Sequence, residues 1–303
     1  MFNEERKIRF IEERKDEVVL PNNYLEVQFN KIENMETELD KDVCDFTAYE
    51  IKEYYKMLGL ASIESLMVMN SQLTLYTNWC LQHNLVIDNQ NHFLELTYDM
   101  LNDCINKALL DMKIVTRETV LSWISILENP KDQFIILALF EGIRGKENCE
   151  LAQLKPQDIN GNTVSLCTGR TIEVSNKLID IIEDCVSAEV YSTPTGKEFQ
   201  LIDKGYVIKD FCNIKDEVDD YQIGRRIYNS IRRTIKIFDR SNIVTANSIV
   251  ESGKLAMIKK RSAELGISPK EYICSDHIKE VEAQYDCTIV DTVYLRKYKD
   301  YLD

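Results

Sequence analysis

A chain of 303 residues, 44% hydrophobic and 29% charged with only 5 prolines, has room for two helix-rich globular domains and lacks the composition of a disordered polymer. No apolar run approaches the ~20 residues of a membrane span, and the charged N-terminus MFNEERKIRFIEERKDE has no apolar signal segment, so a cytoplasmic protein is expected. Nine cysteines without a C-x-x-C pair and three dispersed histidines (His83, His92, His277) point to reduced thiols and away from a metal centre, and nothing calls for a cofactor.

Thr47-Ala-Tyr-Glu50 has capping-box spacing and predicts a helix to about Leu58, stopped by Gly59. Ser62 caps a long amphipathic helix over IESLMVMNSQLTLYTNWCLQHN, with Leu66, Met69, Leu73, Tyr76 and Cys80 at three- and four-residue steps. Thr97 opens another helix over TYDMLNDCINKALL. The pattern breaks at DMKIVT, which sets a domain boundary near residue 114: a helical N-terminal domain over 1–113 and a second domain over 114–303. The second domain begins with a helix at Thr116. Asn129-Pro130 then supplies an N-cap and a first-turn proline. An apolar helix ends in Glu141-Gly-Ile-Arg144, and an amphipathic segment runs on to Leu-Lys-Pro-Gln-Asp-Ile159. NTVSLCTGRTIEVS alternates around Thr168-Gly169 as a β-hairpin, and Ser175 caps the helix NKLIDIIEDCV. The fold class is mainly α with a small antiparallel β element.

Net charge is −14, which taken alone disfavours a nucleic-acid partner. Its distribution does not. Between Gly224 and Arg261 stand Arg225, Arg226, Arg232, Arg233, Lys236, Arg240, Lys254, Lys259, Lys260 and Arg261, opposed only by Asp239 and Glu251. Screening over about 8–10 Å lets such a patch act locally on an acidic body. In IGRRIYNSIRRTIKIF, Ile227, Ile231, Ile235 and Phe238 form an apolar stripe. Arg225, Asn229, Arg232 and Lys236 line one flank, with Arg226 and Arg233 beside them. Arginine and asparagine on an exposed helix suit phosphates and the edges of guanine and adenine. A solvated face or a calmodulin- or membrane-type helix is the plainer alternative.

LALFEGIRGKENCELAQLKPQDI resembles the first-arginine box of the tyrosine recombinase (phage integrase) family. The order of elements around it resembles the family's core-binding and catalytic domains. The resemblance implies DNA as partner, and chemistry in which arginines clamp a phosphate, a hairpin lysine protonates the leaving oxygen and a tyrosine attacks. Arg144 matches the first arginine, with Glu147 three residues on, although the Cys-Glu-Leu-x-x-Leu-Lys-x-x-Asp-Ile run comes nearly one helical turn late. The hairpin lysine is replaced in Thr168-Gly169-Arg170, where Arg170 is a poor acid able still to grip a phosphate. Thr245-Ala-Asn-Ser-Ile-Val stands for the family's His-x-x-Arg box, with Asn247 at the histidine and Val250 at the arginine. Tyr294 falls on the nucleophile and Tyr285 on the second histidine, with Tyr298 and Tyr301 as further candidates. Within the family the chain looks like the integrase-like repressors of SPbeta-type temperate phages. That implies a double-stranded-DNA-binding repressor acting at operator sites to maintain lysogeny, on a recombinase frame without recombinase activity. It also implies a nucleoid-associated location in a bacterial host, with a phage regulatory protein or antirepressor as a second partner. The alternatives are an active recombinase using Arg144, Arg170 and Tyr294, and a non-catalytic accessory protein. The operator, the oligomeric state and the N-terminal residues that touch DNA stay open.

Overall fold

The computed structural model describes residues 1–14, 24–193, 195–210 and 220–302. The chain divides into two compact units, Met1–Asp111 and Met112–Asp303, each with its own core. It is mostly helical, with one three-stranded and one two-stranded antiparallel sheet.

The first unit contains α1 (Glu4–Glu13), α2 (Tyr24–Leu39), α3 (Ala48–Met57), α4 (Ile63–Gln82) and α5 (Tyr98–Asn102), followed by α6 (Lys107–Lys113). Thr47 and Glu50 form the expected capping box of α3, Gly59 turns the chain with φ 59°, and Ser62 caps α4. The α4 stripe is core: Leu66, Met69, Leu73, Tyr76 and Cys80 are buried. Phe10 and Phe29 meet Tyr76 edge-on at 5.1 and 4.9 Å. One expectation changes. The helix from Thr97 is broken after Asn102, because Cys104 and Ile105 turn back onto Leu101 and Asn102. Asn106 then restarts it as α6, its side chain accepting from Leu109 N at 3.1 Å.

In the second unit α7 (Arg117–Ile126) and α8 (Pro130–Phe140) precede α9 (Cys149–Gln153). The meander β1 (Ile159–Asn160), β2 (Thr163–Ser165) and β3 (Thr171–Glu173) follows, then α10 (Asn176–Ser187) and the hairpin β4 (Val190–Ser192) and β5 (Glu198–Gln200). Among the described residues α11 (Asp220–Phe238), α12 (Ala246–Leu265), α13 (Pro269–Ile273), α14 (Ile278–Tyr285) and α15 (Asp291–Lys297) follow. Helix α8 is the axis, buried from Phe134 to Phe140, with α7, α10, α11 and α12 packed around it. A helix apolar on every face has no surface to give to solvent and settles at the centre. Asn129 precedes α8 as expected but does not cap it through its side chain. Its amide is drawn instead to the backbone of Ser192, giving and taking hydrogen bonds of 2.8 Å each.

Candidate nucleic-acid interface

Beyond α8 the chain reverses at Gly142, with φ 98°, where an added Cβ would lie 2.4 Å from the Gln284 carbonyl of α14. Only glycine permits that approach. Arg144 follows, and the nearly one turn of extra sequence is absorbed without a helix. Gly145, Glu147 and Asn148 all take left-handed φ (67°, 54° and 63°), folding Lys146–Asn148 into a tight 3-10 turn before α9.

That turn leaves Glu147 exposed and carries Glu150 into the interior. Glu150 accepts the Arg144 backbone N–H at 2.9 Å, the Thr168 hydroxyl at 2.6 Å and Arg170 Nε at 2.6 Å. Burial raises its carboxyl, but the bonds from Arg170, Thr168 and Arg144 outweigh that and hold it below the usual value. Arg170 also reaches Glu150 at 2.5 Å and Gly142 O at 2.6 Å through Nη2, and Gln284 O at 2.6 Å and Ala283 O at 3.3 Å through Nη1. Every guanidinium N–H is thereby engaged. The expectation that Arg170 grips a phosphate gives way: it ties α9, the hairpin and α14 together.

Arg144 has the opposite surroundings. Its Nη1 donates to Asn247 Oδ1 at 2.5 Å, and no carboxylate among the described residues lies within ion-pair distance. Burial lowers its pKa below the ordinary guanidinium value, the effect of desolvating a charge without an anion beside it. Asn247 sits in the first turn of α12, whose N-cap is Thr245. The fold therefore brings together Arg144 and Asn247, the positions that the resemblance matches to the first arginine and the histidine. Val250, 8% exposed, packs into the core around α8. Tyr285 donates its hydroxyl to Phe140 O at 2.7 Å, and burial holds that hydroxyl well above its usual pKa. Tyr294 is 8% exposed in a cluster with Tyr298, ring centroids 4.7 Å apart. Its hydroxyl is buried without a hydrogen-bond partner, and burial raises its pKa well above 10. Tyr298 is buried too and donates to Glu251 at 3.0 Å, while Tyr301 ends the chain's last short turn, half-buried.

The profile for "MrpR, C-terminal catalytic domain" matches residues 114–302, and that for "MrpR, N-terminal core-binding domain" matches residues 1–82. The chain belongs to the MrpR family. It is 25% identical to the SPbeta prophage-derived uncharacterized protein YopR of Bacillus subtilis (strain 168), over 94% of this chain and 91% of that protein. Among solved structures, the crystal structure of XerA recombinase aligns over 99% of both chains at 12% identity, with a TM-score of 0.35.

In this MrpR-family chain α11 crosses directly above the Arg144 loop: a Cβ on Gly224 would lie 2.5 Å from Glu147 O. Ile227, Ile231 and Ile235 are buried as expected, and Phe238 stacks on Trp123 at 5.0 Å. Thr234, which the sequence reading passed over, is buried and donates to Asp132 of α8 at 3.1 Å. The basic side chains then separate. Arg226 pairs with Asp210 at 3.4 Å, and Arg233 lies 4.0 Å from Asp132 and over the Tyr191 ring at 5.4 Å. Arg225, Asn229, Arg232 and Lys236 stand fully outward with no side-chain partner among the described residues, as does Arg240 beyond the helix end.

The expected extension of this patch along α12 is largely neutralised. Lys254 is 9% exposed and donates to Glu251 at 2.8 Å. Arg261 is shared by Glu264, Glu280 and Glu173 at 2.9, 3.6 and 3.8 Å, and Lys260 lies 3.8 Å from Glu264. Lys259 is exposed on the rim of a cleft of about 700 Å³ between α7, α8, β3 and α12. Neither Arg144 nor the outward row of α11 lines that cleft.

Proposed function

We propose that this chain binds double-stranded DNA at specific operator sites as a repressor of a temperate phage, without cutting it. The observation that carries the reading is the outward row Arg225, Asn229, Arg232 and Lys236 on α11. It is a line of cations and one amide without a side-chain partner among the described residues, on a protein of net charge −14. Among the described residues the rest of the basic window, Arg240 and Lys259 apart, is drawn into ion pairs. Arginines and lysine in such a row contact phosphates, and Arg or Asn can read guanine or adenine edges in the major groove. Arg144 supports a further phosphate contact, because it is a half-buried guanidinium lacking an anion and held by Asn247.

The absence of strand cleavage rests on separate residues. An attacking tyrosine must lose its proton, whereas burial holds the Tyr294 hydroxyl in its protonated form, with no base hydrogen-bonded to it. Val250 supplies no donor to a transition state, and Arg170 has none to spare. Loss of a single oxyanion donor costs on the order of 10²–10³ in rate. A gel-shift series on fragments of the prophage genome at two salt concentrations tests the binding. Retarded fragments that are released at the higher salt are expected, and no retardation at low salt overturns it. A nicked suicide substrate tests the chemistry: binding without covalent adduct is expected, and adduct at Tyr294 would restore the recombinase reading.

A further inference from the structure

Cys149 opens α9, and Cys167 precedes the Thr168-Gly169-Arg170 tip of the β2–β3 hairpin. The residue that follows each cysteine is bonded to the residue that follows the other, since Thr168 donates to Glu150 at 2.6 Å. The two thiols interact across this junction, with Cys167 exposed and Cys149 half-buried. The Cys149 sulfur also lies under Gly145, the residue after Arg144, where an added Cβ would come within 2.5 Å of it. Cys44 and Cys80 interact in the first unit as well, but both are buried away from an oxidant.

We propose that Cys149 and Cys167 are a peroxide-responsive dithiol, and that closing their disulfide loosens the Arg144 phosphate contact. The dithiol chemistry stands alone, whereas its consequence rests on the DNA-binding reading above. The Cys149 sulfur attacks one oxygen of hydrogen peroxide and becomes a sulfenic acid, while the O–O bond breaks and the other oxygen leaves as water with the Cys149 thiol proton. The Cys167 sulfur then attacks the Cys149 sulfur. The S–S bond forms, and the sulfenic hydroxyl departs as a second water with the Cys167 proton. Two thiols give up two electrons and two protons, and one peroxide becomes two waters. Burial and the neighbouring Cys149 push the Cys167 thiol up to about 11, so it must give up its proton as it attacks, which makes this second step the slower one. A disulfide brings the Cβ atoms to about 3.8 Å. Such a bond ties the Cys149 sulfur, which packs under Gly145, to the hairpin and so alters the loop that carries Arg144, whose N–H is held by Glu150. Disulfides in reducing compartments are characteristically of this transient, sensing kind.

The test uses the full-length reduced protein and its Cys167→Ser variant, each treated with hydrogen peroxide. Peptides are mapped without reduction, and DNA affinity is followed against salt. A Cys149–Cys167 linked peptide is expected, absent in the variant and reversed by a thiol reductant. Oxidised wild-type protein should lose about one unit of salt slope, the worth of one phosphate contact, and the variant should lose none. Overoxidised Cys167 without the link, or a link to another cysteine, overturns the dithiol. A link that leaves affinity and slope unchanged overturns the regulation alone. A link in a protein that binds no DNA in either redox state supports the dithiol and defeats the DNA reading.

Discussion

Glu150 accepts the backbone N–H of Arg144 and the side chain of Arg170 in one buried carboxylate, which is why two arginines matched to the same chemistry face different partners. The resemblance matches Glu147, three residues after Arg144, but the positive φ at Glu147 and Asn148 leaves Glu147 outside and turns Glu150 inward. A late-running motif was legible; which carboxylate turns inward was not, because it depends on a turn that side-chain spacing does not encode. Replacing Glu150 by Gln strands the buried end of Arg170, and a loss of about 3–5 kcal/mol is expected in denaturant unfolding. The pH dependence has a definite sign. The Glu150 carboxyl is depressed in the folded state, so its contribution is present above the usual 4.5 and is lost as pH falls through the lower folded value. The Glu150→Gln variant should lack this acid limb. Glu36 in the first unit behaves oppositely. Burial pushes it up to about 7 against the pull of Lys7, with Nζ 2.6 Å from Oε1. Its contribution is complete below 4.5 and lost as pH rises through about 7, a slope that Glu36→Gln should flatten in unfolding measured across that range.

Helix α11 was the most readable element, since its isoleucine stripe and charged flanks follow directly from a period of 3.6 residues. Its division of labour was not readable. Arg232 and Arg233 are adjacent in sequence, yet Asp132 and Tyr191 lie beside only Arg233. Arg232→Ala should therefore lower the salt slope of DNA binding by about one unit with stability unchanged. Arg233→Ala should leave the slope nearly intact and show its effect in thermal unfolding. The packing of α12 on α8 hinges on Gly253, where a Cβ would lie 1.9 Å from Phe140 O and 2.6 Å from the Tyr285 hydroxyl. Gly253→Ala should cost about 1–3 kcal/mol or more, read from the unfolding midpoint, because the Phe140 backbone on one side and the Tyr285 hydroxyl bonded to it on the other leave little to yield. This close approach explains a tyrosine where the resemblance places a histidine: Tyr285 fills and bonds the α8–α12 crossing.

At the scale of the whole molecule, the helical first unit, the buried α8 and the hairpin were legible from capping residues, apolar runs and alternation. The fate of the basic window was not, because neutralisation of Lys254 and Arg261 comes from glutamates on their own helix and on β3 and α14, brought close only by folding. What remains is an acidic protein whose α11 carries an outward basic row without side-chain partners among the described residues. The most direct measurement is the affinity for a retarded prophage fragment as a function of salt, for the wild type and for Arg225→Ala combined with Arg232→Ala. The account predicts a log–log slope shallower by about two units in the double variant, with folding intact. A slope equal to that of the wild type would contradict it.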